Sequence, residues 1–124
     1  MATGGRKTHL QVVHTIGQNF TSATPASGVL GVLPAGAVLL SAHLSAQVAF
    51  NSTTNTLALG TTVGGTQLLS ATDLKTVART DTPIVIAQQG ALAADTPVYW
   101  TLGATGGAAT LGAATAFIDY MIPG

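Results

Sequence analysis

The sequence contains no cysteine and no glutamate, and only eight of its 124 residues carry a formal charge. Without cysteine the chain has neither a disulfide framework nor a thiolate metal site, and it suits synthesis in a reducing cytoplasm. Four Lys and Arg balance four Asp, for a net charge of zero. So few basic groups cannot neutralise many phosphates, which excludes a general nucleic-acid binder. Charged residues make up 6% of the chain, against about 25% in ordinary soluble domains. Disorder is nevertheless excluded, because 47% of the residues are hydrophobic and no net charge holds the chain open. Long apolar runs are missing too. Residues 8–72 hold no Asp, Glu, Lys or Arg, yet the best candidate span, Val29 to Phe50, is broken by Gly31, Pro34, Gly36, Ser41, His43, Ser45 and Gln47. Arg6 and Lys7 are followed by Thr8, His9 and Gln11 rather than an apolar stretch, so no secretory signal is expected.

What is abundant is small and neutral: 21 Ala and 20 Thr, with 15 Gly. A surface built from these residues lacks the repulsion that keeps monomers apart, so the chain is expected to spend its life packed against other chains. Its length suits one domain. Residues 1–7 read as a flexible N-terminal arm and residues 8–124 as a single β-sandwich domain.

The strand signal is strongest in Ala37–Phe50. Ser41, His43, Ser45 and Gln47 are odd-numbered, while Val38, Leu40, Ala42, Leu44, Ala46, Val48 and Phe50 are even. On a helix the polar set would scatter; on a strand it shares one face. Further strands are expected over 8–16, 29–33, 56–62, 84–89, 97–102 and 111–122. Gln18–Ser27 reads as a loop, and Pro34–Gly36, Gly64-Gly65 and Gly106-Gly107 as turns. Ser70-Ala71-Thr72-Asp73 ahead of Leu74, Val77 and Ala78 fits a capping box, predicting one short helix near residues 71–78. About eight short strands with at most one short helix make an all-β, jelly-roll-like sandwich.

Chemistry is hard to find. His9 and His14 are five apart and fall on opposite faces of a strand, so no metal site is expected. Gly4-Gly5-Arg6-Lys7-Thr8 lacks the glycine that a phosphate-binding loop needs before its lysine. No Gly-x-Ser-x-Gly turn occurs, and nothing marks out a Ser-His-Asp set. The expectation is no enzyme activity, no catalytic residue and no cofactor. Trp100 shares a face with Val98 and Leu102 and belongs to the core, whereas Tyr99 points the other way and is the candidate exposed ring.

Leu33-Pro34-Ala35-Gly36-Ala37-Val38, the alternating strand to Phe50-Asn51 and the returning Leu57-Ala58-Leu59-Gly60 resemble small virion proteins of tailed bacteriophages. Asp95-Thr96-Pro97-Val98-Tyr99-Trp100 and Ala116-Phe117-Ile118-Asp119-Tyr120 extend the likeness across residues 29–122. Among such proteins the chain resembles head decoration, or cement, proteins, which are jelly-roll sandwiches. That resemblance implies a structural role on the virion exterior after synthesis in the host cytoplasm, over junctions of the major capsid protein. The implied partners are that protein and further copies of this chain, with no nucleic acid and no membrane. Arg6, Lys7 and Tyr99 are the candidate partner contacts. A receptor- or glycan-binding virion module is the alternative.

Overall fold

A computed structural model describes residues 13–84 and 90–122. Eight strands form its regular structure: β1 (His14–Thr21), β2 (Ser27–Leu33), β3 (Val38–Val48), β4 (Thr54–Gly60), β5 (Leu69–Asp73), β6 (Ala78–Pro83), β7 (Thr96–Thr105) and β8 (Ala113–Met121). They make two four-stranded antiparallel sheets, ordered β1-β8-β3-β6 and β2-β7-β4-β5. First pairs with last, second with second-last, third with sixth and fourth with fifth. This nesting is that of one long hairpin rolled into two facing sheets, a jelly roll. The β3–β8 and β4–β7 ladders complete the roll.

The core lies between the sheets and is built from the inward residues of each strand, among them Phe20, Leu33, Leu44, Leu57, Leu59 and Ile118. Trp100 is 7% exposed, sets its ring edge-on to Phe20 at 5.3 Å, and donates from Nε1 to the Pro25 carbonyl. Its indole covers Gly28, where a Cβ would come within 2.4 Å of the ring. On β8, Ala114, Ala116 and Ile118 are buried, as alternation requires.

Asn51 ties the β3–β4 connection to the β7–β8 loop, accepting from the Thr110 and Leu111 amides and donating to Thr110 Oγ1. The same end of the roll holds a cavity of about 190 Å³, lined by Phe50, Leu74, Leu102, Ala26 and Ala109. At the opposite end, the β2–β3 turn bonds Leu92, Gly36 N donating to the Leu92 carbonyl and Leu92 N to the Ala37 carbonyl, and Ala35 N donates to Asp95. Gly36 has φ +86°, the conformation its turn asks for.

The all-β sandwich matches the reading of the sequence; three local features depart from it. The helix expected near 71–78 is absent. Residues 69–73 and 78–83 are β5 and β6, paired with β4 and β3. The supposed capping residue Asp73 instead accepts from the Lys75 amide in a tight turn, and of the apolar set only Leu74 is buried while Val77 is exposed. Ladder partners outweigh a local capping signal that has no apolar face behind it. Second, β1 continues through Gln18 to Thr21, because Phe20 is fully buried and pairs with Ala114. Third, a register shift between Leu39 and Ser41 turns Leu39 inward and Leu40 outward, at 3% and 40% exposure. A second shift, between Ala46 and Val48, leaves Val48 exposed. The expected even face therefore holds only from Ala42 to Ala46 and again at Phe50. β6 ends at Pro83, and Ile84 lies outside it. The rest of the strand expected over 84–89 falls on residues 85–89, outside the described residues, as do the arm and the strand start at residues 8–12.

Candidate functional site

The two outer faces of the roll differ in chemistry. On the β1-β8-β3-β6 sheet, side chains from all four strands are wired together. His43 on β3 stands between two carboxylates. Its Nδ1 lies 2.5 Å from Asp81 Oδ1 on β6, and its Nε2 lies 3.1 Å from Asp119 Oδ2 on β8. Ser41 Oγ approaches the same Nε2 at 2.7 Å, and Thr15 on β1 donates to Asp119 Oδ1. Arg79 Nε donates to both oxygens of Asp81. Phe117 stacks on the His43 ring at 4.6 Å. A second line of bonds runs in parallel: Gln47 donates to Ser45 and Thr115, and Thr115 donates to Asn19. Bonds from His43 first, and from Arg79 second, hold the Asp81 carboxyl below its ordinary value of 3.8.

Strand pleating explains the convergence. Ser41 and His43 are two apart on one face, and the ladders set His43 beside both Asp81 and Phe117, with Ser41 beside Asp119. The sequence had marked out no Ser-His-Asp set, yet the fold assembles Ser41, His43 and Asp81 in hydrogen-bonded order. Asp119 crowds the nitrogen that would take the serine proton, and a second carboxylate there opposes a developing oxyanion. The backbone around Ser41 and His43 runs in ladders on both sides, toward β6 and β8. The cluster fastens side chains of four strands across one face of the sheet. The ring also separates its two carboxylates, so among the described residues no three metal-ligating groups converge.

The outer face of β2-β7-β4-β5 is apolar where β2 meets the start of β7, while β4 and β5 present Thr54, Thr56, Ser70 and Asp73. Ladder pairing sets Val29 beside Tyr99 and Val32 beside Pro97, all turned away from the core. Val29 and Val32 are about half exposed, and Tyr99 is half-buried. Val63, 75% exposed on the β4–β5 turn, lines the same shallow hollow with Ser27, Tyr99 and Trp100. No charged side chain stands among these residues. Tyr99 thus faces outward as the alternation in Val98-Tyr99-Trp100 predicts, while its valine neighbours come from strands too distant in sequence to be read beside it. Arg6 and Lys7 lie outside the described residues.

No protein-family model and no curated protein matches the sequence. Solved structures do match in fold. A chain in the cyanophage Pam1 capsid asymmetric unit aligns with a TM-score of 0.63 and 19% identity, covering 91% of this chain and 86% of that one. A chain in the capsid of Ralstonia phage GP4 aligns with a TM-score of 0.59 and 18% identity, over 92% and 84%. A chain in the acid-stable capsid of Helicobacter pylori bacteriophage KHP30 gives 0.64 and 16% identity, over 91% and 90%. The high coverage on both sides means that the matched chains are close to this one in length and share its fold over most of the chain.

Proposed function

We propose that this chain is a structural virion protein that decorates a tailed-phage head, seated across junctions of the major capsid protein. The observation that carries the reading is the contrast between the outer faces. One is wired by polar side chains around His43, and the other carries an uncharged apolar patch around Tyr99 suited to burial against a partner. Shared fold with chains of three phage capsids supports it. Low overall charge supports it as well, because few ions must be desolvated when surface is buried. In this reading Val29, Val32, Val63 and Tyr99 meet the shell, and Arg6 and Lys7 of the arm engage acidic groups there. The role is reinforcement, with no reaction.

The test uses particles of the phage that encodes the chain. Val29→Asp should leave the fold intact, since the residue faces outward, yet abolish retention on particles through a wash at about 1 M salt, where the Debye length is about 3 Å. Ser45→Asp, on the polar face, should be retained. Particles lacking the protein should attach to host cells normally but burst sooner on heating. Lost attachment with an unchanged burst threshold would replace this reading with a receptor-binding one.

A further inference from the structure

The edge strand β6 carries a charge pattern that is its own complement. It is the outermost strand of its sheet, and among the described residues no strand pairs with its free side. Edge strands are ordinarily protected by charge, which repels an approaching copy. Here the two outward charges are of opposite sign and two residues apart: Arg79 and Asp81, with side chains 62% and 52% exposed. In a chain with eight charged residues, this places one cation and one anion on a single six-residue edge.

We infer that β6 pairs antiparallel with β6 of a second copy of this chain, about a two-fold axis through Thr80. Symmetry then fixes the register. Arg79 lies opposite Asp81 of the second copy, Asp81 lies opposite Arg79 of the second copy, and Thr80 faces itself. Both cross-strand positions become opposite-charge pairs, and two four-stranded sheets merge into one of eight strands. Among the described residues Arg79 bonds Asp81 through Nε alone, leaving its two terminal nitrogens to reach the second carboxylate. Asp81 is held in place by His43 and so presents its carboxylate in a fixed position. The other edges offer no such match. β1 and β2 lie beside one another, with Ile16 against Gly31, and β5 has only five residues and an irregular ladder. This inference is independent of the decoration reading, since it concerns a different face and a different partner.

Sedimentation of the whole chain over a concentration series tests it. A monomer–dimer equilibrium is expected, weakened by salt. R79D and D81R each set like charges opposite one another at both positions, and each alone should dimerise roughly tenfold or more weakly. An equimolar mixture of the two should recover a heterodimer, because the patterns are complementary again. Circular dichroism reports whether each variant folds. Should D81R unfold through loss of the His43 contact, R79D must still weaken the dimer more than R79Q does. A chain monomeric at every concentration would overturn the inference. So would a dimer indifferent to R79D, or folded variants whose mixture fails to associate.

Discussion

Leu39 and Leu40 are adjacent leucines on one strand, and the bulge between Leu39 and Ser41 gives them opposite fates. Leu39 is 3% exposed and sits in the core cluster, whereas Leu40 is 40% exposed on the outer side. Truncating a buried leucine to alanine removes its transfer free energy and leaves a cavity, together about 2–5 kcal/mol. Truncating Leu40 leaves no cavity and forfeits only part of a leucine's burial, about 1 kcal/mol or less. A domain of this size shifts in Tm by about 4 °C for each kcal/mol. Leu39→Ala should therefore melt about 8–20 °C below the parent and Leu40→Ala within about 4 °C of it. Thermal circular dichroism, supported by urea titrations with unchanged m-values, makes the comparison. Simple alternation along the strand predicts the reverse, with Leu40 inward and Leu39 outward. Equal losses, or a larger loss at Leu40, would refute the bulge and shift every outward assignment before Ser41 by one residue.

Two further outcomes follow from contacts already described. A carboxyl whose folded pKa lies below its unfolded value binds fewer protons when folded, so Asp81 contributes stability that is complete above the ordinary value of 3.8 and fades as pH falls through the lower folded value; D81N should show a shallower loss of stability in that acid range, measured by urea denaturation at stepped pH. Gly28→Val should cost about 1–3 kcal/mol by overpacking, because its Cβ would meet the Trp100 ring, and a shift in tryptophan fluorescence should accompany the drop; a variant as stable as the parent would mean that the indole sits elsewhere.

Much of the fold was legible because the two faces of its strands differ sharply. Ser41, His43 and Ser45 alternate with Ala42, Leu44 and Ala46, and that contrast identifies β3 and its register without knowledge of neighbours. Trp100 and Tyr99 were assigned to opposite faces on the same ground. The segment 70–78 misled because capping chemistry is local while β5 and β6 are defined by partners on β4 and β3. The polar site was illegible for a related reason. Asp81 and Asp119 stand 38 and 76 residues from His43, and only the strand order brings them to one ring. The clue available was scarcity: four Asp in the whole chain, with two of them in strands flanking the one that carries His43.

The nested pairing of strands has a consequence for how the chain comes into being. The β4–β5 hairpin joins neighbours in sequence, but each further pair encloses the one before it, until β1 meets β8 across nearly the whole chain. Long-range closures of this kind are slow, because much chain must be ordered before the contacts that reward it exist. On the ribosome, β1 emerges first and waits without its ladder partner until β8 has been made. A nascent chain therefore holds an unpaired strand and half a core for most of its synthesis, exposed to misassociation with its siblings. Completion of the last strand turns that vulnerable intermediate into a sealed roll. Truncation before β8 should consequently yield aggregate, never a smaller working domain.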